Sequence, residues 1–514
     1  MERRGSGRGL VGSWLAGALA LLMVALSATS RLHGEESPGS ARDPLTARLL
    51  SGLQSAELGP RARLAVYLAD PATGIEYVAL GADEPVPPAS VMKLVTTAAA
   101  LESLGPSHTF ETRVEAHGVI AGNVLKGDLV IVGGGDPSLG SRFQAKPGEV
   151  TLILEDWAAA VRAKGIREVT GNVVGDDSRY VYDPHATGWE PLEFGEWYSA
   201  EVSALNFNEN VIDVIWTGGK SPGDMAKFRL VPKTEYIVFA SSVRTSPESQ
   251  RVASIRYLRR KESNEIRARG RIAPGAEKYE FASIHDPANF TARLFLDTLA
   301  KSGVKVNGSA YSRHAGADDE PSTETVTLAR HTSPPLSELV NVVNRRSQNL
   351  YAEVLLREVA LRRGAGTDFA DATRALTDWL REKGLHRTGF LTMDGSGLSP
   401  LDRATPRMIG GILSAMGRSP ISDLYKGSLA APGAEGSLRS RFQSADFEPI
   451  RNNLRAKTGF IAGVHSLAGY MKHKRGSEYV FFVAVTGYDT ERSVEARDLL
   501  DRATLELQQS DVLP

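Results

Sequence analysis

Residues 88–101 have the sequence PASVMKLVTTAAAL. The residues after Ser90 are mostly good helix formers, and Gly105 ends the run, so we predict a helix that begins at Ala89-Ser90. Ser90 and Lys93 stand three residues apart and face the same side of that helix. The free N–H groups of a first helical turn can also hold a developing negative charge. The pair therefore has the composition of a nucleophile and its base.

A lysine can act as a base only if its pKa falls, which burial and neighbouring cations achieve. The S-x-x-K spacing alone is a weak signal, because a second match occurs at Ser302 and Lys305. There, Ser302-Gly303 ends a predicted helix and Lys305 lies in the next strand, so the two side chains share no helical face. We interpret this second match as a chance occurrence.

Two further motifs follow in the C-terminal part of the chain. Ser347-Gln348-Asn349 stands directly before a strong helical pattern, so either Ser347 or Asn349 could simply cap that helix. Lys457-Thr458-Gly459 lies on a predicted edge strand, which can pair with an extended peptide. Its Lys and Thr can bind a carboxylate, and its Gly would leave room for the substrate. Asp394-Gly-Ser-Gly397 is interpreted as a loop near the same site.

Composition excludes several classes of protein. In 514 residues, 60 Lys and Arg balance 61 Asp and Glu, so no basic field favours nucleic acid as a partner. The chain has no cysteine, 10 histidines and no HExxH pattern, which argues against a thiol nucleophile and a zinc site. We therefore predict no metal and no cofactor. The chemistry has to come from oxygen and lysine.

The first 31 residues have the pattern of an export segment. Arg3, Arg4 and Arg8 precede an uncharged run from Leu10 to Ser30 that ends in small residues. We predict a cleaved signal peptide at residues 1–31, and the alternative is a membrane anchor, because the run is long enough to span a bilayer. In either case the protein is expected to be exported to the periplasm or cell envelope, with membrane association possible through this segment.

The remaining chain reads as an α/β protein whose two ends form one layered domain. We predict a catalytic domain from residues 41–105 and 326–514, and an inserted region at 106–325 with a small β domain at about 211–281. The main elements expected in the catalytic part are a hairpin at Arg63–Leu68 and Ile75–Leu80, strands at Leu454–Thr458, Val464–Lys472 and Tyr479–Tyr488, and a last helix at Ser493–Gln508.

Taken together, the three motifs resemble those of the penicillin-recognising serine enzymes, whose elements are S-x-x-K, an S-D-N-like triplet and K-T-G. The sequence is most similar to D-alanyl-D-alanine carboxypeptidases/endopeptidases of the penicillin-binding protein 4 family. The stretches that carry this resemblance are PASVMKLVTTAAAL (88–101), GDLVIVGGGDPSL (127–139), SALNFNEN (203–210), NRRSQNLYAEVLLR (344–357), DGSGLSPLDRATP (394–406) and AKTGFIAGVHSLAGY (456–470). It implies a transpeptidase/β-lactamase-like α/β sandwich with β-rich domains inserted after the first catalytic helix.

The resemblance also implies a role for each motif residue in the hydrolysis of peptidoglycan peptides and in binding of β-lactams. Ser90 would be the nucleophile and Lys93 its base, with Ser347 as a proton relay and Asn349 as a clamp for the substrate amide. The substrate-binding residues would be Lys457, Thr458, Gly459 and Phe460, and the backbone N–H groups of Ser90 and Phe460 would form the oxyanion hole.

The chain departs from the family pattern at Gln348, where Asp or Asn is common, and at Phe460, where a hydroxyl residue often follows K-T-G. The side chain of Gln348 is expected to point away from the pocket. Two alternatives remain open: a β-lactamase built on the same motifs, which the wide separation of Ser90 and Ser347 argues against, and a catalytically silent wall-binding protein, which Phe460 suggests.

Overall fold

The computed structural model describes residues 44–141, 150–247, 254–316 and 324–513, and the predicted export segment lies outside these ranges. The helices are α1 (Pro44–Ser55), α2 (Met92–Leu104), α3 (Leu152–Ala163), α4 (Pro287–Lys301), α5 (Leu336–Arg346), α6 (Asn349–Arg362), α7 (Phe369–Glu382), α8 (Pro406–Gly417), α9 (Ser422–Ser428), α10 (Glu448–Arg451) and α11 (Ser493–Gln509). The strands are β1 (Arg63–Ala69), β2 (Glu76–Leu80), β3 (Glu111–Ala121), β4 (Val124–Val132), β5 (Glu168–Val169), β6 (Val173–Asp176), β7 (Val211–Thr217), β8 (Lys227–Val231), β9 (Val238–Ser241), β10 (Arg244–Thr245), β11 (Ser254–Arg259), β12 (Glu265–Ile272), β13 (Glu277–Ser283), β14 (Lys305–Val306), β15 (Ala310–Arg313), β16 (Thr325–Thr332), β17 (Leu454–Ile461), β18 (Val464–Lys472) and β19 (Glu478–Thr486).

One antiparallel sheet joins the two ends of the chain. Its strand order is β17-β18-β19-β1-β2, so β1 from the N-terminal part lies directly beside β19 from the C-terminal part. All residues of β19 after Glu478 are buried, as expected for a central strand that is covered on both faces. This sheet confirms the predicted α/β sandwich built from both ends of the chain.

The two faces of this sheet bury separate hydrophobic cores. On β1, Ala65 and Tyr67 face a core that includes residues of α2, α5, α6, α7 and α8. Leu64, Val66 and Leu68 face the other core, with residues of α1 and α11. The alternation follows from the two-residue repeat of a β-strand, and it places a helical layer on each face of the sheet.

Helix α2 lies at the centre of one helical layer. Its residues from Met92 to Leu101 are all buried, and it contacts α5, α6, α7 and α8. Ser90 lies in the 3-10 turn Ala89–Val91 that leads directly into this helix. The predicted position of Ser90 at a helix N-terminus is therefore confirmed.

The middle of the chain forms three further sheets among the described residues. The largest has the path β14-β5-β4-β3-β16 with β6 and β15 beside it, and the smaller ones are β13-β7-β8 and a sheet of β9 to β12. All three contribute to one hydrophobic core, which also includes α3 and α4. Strands β7 to β13 span residues 211–283, near the small β domain predicted at about 211–281. The division of the chain into domains stays a prediction.

Several elements differ from the sequence-based expectations. Strand β16, which was placed at the start of the second catalytic part, pairs with β3 and extends the sheet of the inserted region to Thr332. It is half-exposed on both faces, so its apolar pattern is weak. Helices α1, α8, α9 and α10 were not predicted. None of the helices in the described ranges is long and apolar enough to cross a bilayer.

Candidate active site

The turn that carries Ser90 is held from two sides. Ala89, directly before it, has a φ of +48°, a conformation that persists in an L residue only where the surroundings impose it. Ser466 Oγ on β18 donates to Pro88 O at 2.7 Å. On the other side, a Cβ at Gly397 would lie 1.9 Å from Ala89 O, so the loop that contains Gly397 packs directly on the turn. The position of Ser90 is therefore fixed by the protein itself.

Lys93 lies one turn further along the helix and contacts three polar groups. Its Nζ donates to Ser90 Oγ at 2.9 Å, to Asn349 Oδ1 at 2.7 Å and to Ser396 O at 2.7 Å. The side chain is fully buried. A hydrogen bond of this length between a hydroxyl and an amine meets the geometric requirement for a nucleophile and its base.

Burial lowers the pKa of Lys93 to about 7, because the ammonium is separated from water. The buried carboxyl groups of Asp394, Glu353 and Asp402 oppose this shift. Burial also raises the pKa of Glu353 to about 8, with a further contribution from Asp394, and it raises the pKa of Asp402 well above its usual range. A lysine with a pKa near 7 is often neutral at neutral pH and can accept a proton.

Two of these carboxyl groups hold the loop that contacts Lys93. Glu353 accepts hydrogen bonds from the backbone N–H groups of Gly395 and Ser396, both at 2.8 Å. Asp394 accepts a bond from the Gly397 N–H at 2.6 Å. The prediction that this loop lies near the site is confirmed, because the Ser396 carbonyl is one of the three partners of the lysine.

Neither Glu353 nor Asp402 is among the site residues predicted from the sequence. Glu353 stands four residues after Asn349, in a helix whose residues from Asn349 to Ala360 are all buried. A carboxylate in such a run needs a partner, and this was a signal that could have identified it. Asp402 follows a turn-rich loop, where an acidic residue carries no comparable signal.

Ser347 and Gln348 connect α5 to α6. Ser347 has a φ of +62°, and the N-cap of α6 is Gln348, whose side chain accepts a bond from the Leu350 N–H at 3.2 Å. The alternative that Ser347 or Asn349 only caps the helix therefore does not hold. Gln348 Nε2 donates to the buried carboxylate of Glu209, so this side chain points into the inserted region and away from the pocket, as expected.

Asn349 uses both ends of its side-chain amide. Its Oδ1 accepts the bond from Lys93, and its Nδ2 donates to Tyr198 O at 2.7 Å. Tyr198 lies in the 3-10 turn Trp197–Ser199 of the inserted region. Asn349 thus connects Lys93 to the inserted region, and its amide has to exchange a partner before it can bind a substrate amide.

Lys457 and Thr458 lie on β17, at the edge of the central sheet, as predicted. Lys457 Nζ donates to Ser347 Oγ and to Thr458 O, both at 2.7 Å, and Thr458 Oγ1 donates to Ser437 Oγ at 2.9 Å. Burial, together with the charge of Lys93, lowers the pKa of Lys457 well below its usual range. The second and third motifs therefore meet at a buried lysine that bonds the hydroxyl of Ser347 and the carbonyl of Thr458.

Gly459 allows β17 to pack against the Ser90 turn. A Cβ at this position would lie 2.1 Å from Ser466 Oγ and 2.8 Å from Pro88 O. The sequence suggested that glycine is needed to leave room for a substrate. The structure gives a different reason, which is the close approach of two segments of the protein itself.

Phe460 lies at the exposed end of this strand, with 60% of its surface accessible. Its ring is 4.8 Å from the ring of His465, which stacks on Tyr488 at 5.5 Å. Burial lowers the pKa of His465 to about 4, and its Nε2 lies 2.9 Å from Ser493 O. His465 is thus a packed residue.

The backbone N–H of Phe460 faces the edge of the sheet. The register pairs Phe460 with His465 and Ala456 with Gly469. Phe460 and Ala456 are an even number of residues apart on β17, so their N–H groups point to the same side of the strand. The Ala456 N–H points away from β18 and bonds Ala430 O at 2.9 Å. Phe460, four residues further along, points its N–H the same way.

The chance matches in the sequence have no such surroundings. Ser302 Oγ donates to Leu299 O at 2.8 Å, whereas Lys305 pairs with Glu168 at 3.3 Å. The structure brings together the residues of the three main motifs and leaves these others apart.

Comparison with known proteins decides the family. The profile of the D-Ala-D-Ala carboxypeptidase 3 (S13) family matches residues 45–507, which is most of the chain. The chain belongs to this family. Members of the family are serine peptidases, so the chain is a hydrolase, and the alternatives of a β-lactamase and a silent wall-binding protein are not favoured.

Individual relatives agree with this assignment. A D-alanyl-D-alanine carboxypeptidase from an Actinomadura strain is 29% identical over 448 residues, which cover 85% of this chain and 80% of the relative. D-alanyl-D-alanine carboxypeptidase DacB of Haemophilus influenzae is 24% identical over 406 residues, or 78% and 81% of the two chains. The crystal structure of penicillin binding protein 4 from the same species superposes with a TM-score of 0.75 at 23% identity and covers 90% of this chain and 99% of that one. The penicillin-recognising fold is therefore confirmed.

Proposed function

We propose that this serine-type D-Ala-D-Ala carboxypeptidase cleaves the ends or crosslinks of peptidoglycan stem peptides through an acyl-enzyme on Ser90, and that penicillin acylates the same residue. The hydrogen bond of 2.9 Å between Lys93 Nζ and Ser90 Oγ, in a buried site, carries this proposal. It supplies a nucleophile in contact with a base whose pKa is lowered by burial.

In the proposed acylation, neutral Lys93 takes the proton of Ser90 Oγ, which attacks the carbonyl carbon of the penultimate D-Ala. The backbone N–H groups of Ser90 and Phe460 would stabilise the oxyanion, and each such donor is typically worth a hundredfold to a thousandfold in rate, in order of magnitude. The bond to the terminal D-Ala then breaks, and Ser347 relays a proton from Lys93 to the leaving amine. Water hydrolyses the ester with Lys93 again as the base.

The edge strand β17 would align the substrate. An extended peptide can pair with such an edge, and the outward N–H of Phe460 supports this placement. Lys457 and Thr458 would bind the terminal carboxylate, because they are neighbours on this strand and a carboxylate beside Lys457 would favour its ammonium form. Asn349 would hold the substrate amide after its Nδ2 leaves Tyr198 O.

We also propose that the protein works in the periplasm or cell envelope. Bacterial relatives of this chain are D-alanyl-D-alanine carboxypeptidases, and residues 1–31 have the pattern of an export segment. Fractionation of cells that express the full chain would test this, since the protein should leave the cytoplasmic fraction and lose its first residues.

The proposed function is tested with labelled penicillin and with a pentapeptide that ends in D-Ala-D-Ala. We expect the wild-type protein to form a covalent adduct and to release D-Ala, and we expect Ser90→Ala to do neither. Ser302→Ala, at the chance S-x-x-K match, is the matched control and should behave like the wild type. An adduct that persists on Ser90→Ala would refute the nucleophile assignment.

A further inference from the structure

The region of the active site that is proposed to bind a carboxylate has only one hydroxyl group on its strand. The position after Lys457-Thr458-Gly459 is Phe460, so the strand presents the hydroxyl of Thr458 without a second one beside it. We propose that Ser437, from a loop outside the three motifs, supplies the second hydroxyl that binds the C-terminal carboxylate of the substrate. This inference rests on the proposed function and adds a residue that determines its specificity.

The first observation is the position of Ser437. Its Oγ lies 2.9 Å from Thr458 Oγ1, and both side chains are partly exposed, so a ligand can reach them. Ser347 has a different place in the site, because its Oγ contacts Lys457 and it is assigned to the proton relay. Ser437 is thus the hydroxyl that lies beside Thr458 in the part of the chain that the structure describes.

The second observation is that Ser437 is held in place. Its backbone N–H donates to Arg345 O at 2.8 Å, on the last turn of α5. Gly436, with a φ of +124°, packs so closely that a Cβ would lie 2.6 Å from the same carbonyl. The start of the loop is fixed to β17 through the bridge between Ala430 and Ala456. A hydroxyl on such a support is positioned before the substrate arrives, which reduces the entropic cost of binding.

The third observation is the charge of the region. Lys457 is fully buried, and within the described ranges no carboxylate pairs with it. Its bonds to Ser347 and to Thr458 O use two of its three N–H donors. Burial favours the neutral amine of Lys457, and a substrate carboxylate beside it would favour the ammonium, whose third N–H the carboxylate can accept.

The carboxylate would bind by replacing the hydrogen bond between Thr458 and Ser437. Without a ligand, Thr458 Oγ1 donates to Ser437 Oγ. A carboxylate that enters between Lys457 and these two hydroxyls accepts from both, because each hydroxyl can rotate about its bond. A charge-assisted hydrogen bond is about twice as strong as a neutral one, so the gain from Ser437 depends on the charge of the ligand. A C-terminal amide would not receive it.

The test compares Ser437→Ala with the wild type on two forms of one peptide that ends in D-Ala-D-Ala, the free acid and the C-terminal amide. We expect kcat/KM for the free acid to fall roughly tenfold to a hundredfold, the loss typical of one hydrogen bond to a charged group. The value for the amide should change little, so the preference for the free acid collapses. Ser437→Thr, which keeps the hydroxyl, should retain the preference.

Two further variants distinguish binding of the carboxylate by Ser437 from a role of Ser437 in holding its loop in place. Glu435→Gln removes the ion pair of the same loop with Arg346 but keeps the hydroxyl, so it should retain the preference for the free acid. The double variant Ser437→Ala with Phe460→Ser offers a hydroxyl from the strand and should restore part of the loss.

The outcomes are distinct. An unchanged preference in Ser437→Ala, or an equal fall for acid and amide, would overturn the assignment of Ser437 while the proposed function stands. If the wild type formed no acyl-enzyme and released no D-Ala from either peptide, the proposed function itself would fail, and the role of Ser437 with it.

Discussion

Lys93 shares a pocket without solvent exposure with the carboxyl groups of Glu353, Asp394 and Asp402. Burial favours the neutral amine, and the carboxyl groups favour the ammonium, so the protonation state of Lys93 is set by two opposing effects. The pKa of about 7 is the balance between them. At the scale of single residues, the activity of the enzyme therefore depends on groups that never contact the substrate.

This balance predicts the pH dependence of acylation. Because the base must be neutral, the rate constant for penicillin acylation should be constant above pH 7 and fall tenfold per unit below it, with a midpoint at about 7. Stopped-flow or gel measurements of adduct formation between about pH 5 and 9 would show this fall in rate at acidic pH. A midpoint near the ordinary lysine value of about 10 would mean that Lys93 is not the base.

Glu353→Gln removes a buried carboxyl group whose ionised form favours the ammonium of Lys93, and because burial raises the pKa of Glu353 to about 8 the two groups titrate together. The pKa of Lys93 should fall, and the acidic limb of the acylation profile should move to lower pH by about one unit. Glu358→Gln is the control, since Glu358 lies on the same helix and is equally buried but bonds Arg179 and Tyr180. The acidic limb of the acylation profile of Glu358→Gln should stay at the same pH as in the wild type. A limb that moves to higher pH in Glu353→Gln would contradict this account.

The sequence was sufficient to predict the motif residues, and the reason is chemical. Ser90 and Lys93 are three residues apart on one helix, so local geometry alone brings them together. Asp402 and Ser437 reach the site only through tertiary packing of loops, and no local pattern reports that. The roles assigned to the motif residues stay predictions until they are tested.

At the scale of elements, the edge strand β17 and the turn at Ala89–Val91 pack against each other without a side chain at Gly459. The hydroxyl of Ser466 bonds the turn from the neighbouring strand. This contact sets the distance between the strand and the nucleophile. The sequence predicted a strand at Leu454–Thr458, and the structure extends it to Ile461, but the contact with the turn is not visible in a sequence.

Gly459→Ala should weaken this contact. The added Cβ would meet Ser466 Oγ at 2.1 Å and the rigid Pro88 carbonyl at 2.8 Å, and overpacking of this kind costs about 1 to 3 kcal/mol. We expect a lower melting temperature and a slower acylation by penicillin, measured by calorimetry and by adduct formation. Combining it with Ser466→Ala removes the closer contact and should recover part of the stability.

A matched control is available in α9. Gly427 is helical, and a Cβ there would meet nothing within 4 Å, so Gly427→Ala should be neutral or stabilising by up to about 1 kcal/mol. Equal losses in both variants would show that the effect of Gly459→Ala is not a steric one.

At the scale of the whole molecule, the inserted region supports the second motif. Asn208, Glu209 and Asn210 all have positive φ values, which Asn tolerates better than most residues. This left-handed turn presents Glu209 to Gln348 Nε2 and to Ser141 Oγ, the latter at 2.7 Å. The central residue of the second motif is thus bonded to a segment far away in the sequence. No pattern within either segment indicates that they meet.

Glu209→Ala should damage the site from a distance. It leaves Gln348 Nε2 without this acceptor, and an unsatisfied buried polar group costs about 1 to 3 kcal/mol. We expect penicillin acylation to slow by about tenfold, because the position of the second motif is loosened. Glu209→Gln keeps one acceptor for Gln348 and should stay close to the wild type. If Glu209→Ala were acylated as fast as the wild type, the contact between Glu209 and Gln348 would not be needed for activity.

The strand order of the central sheet also determines when the enzyme can first be active during its synthesis. Arg63 and Thr486 are paired neighbours, so the strand that precedes Ser90 has no partner on one side until residues 478–486 leave the ribosome. Such a distant pairing makes folding slow relative to local helix formation. A chain released early would carry its nucleophile on an unsupported helix, and hydrolytic activity should emerge only after translation has passed β19.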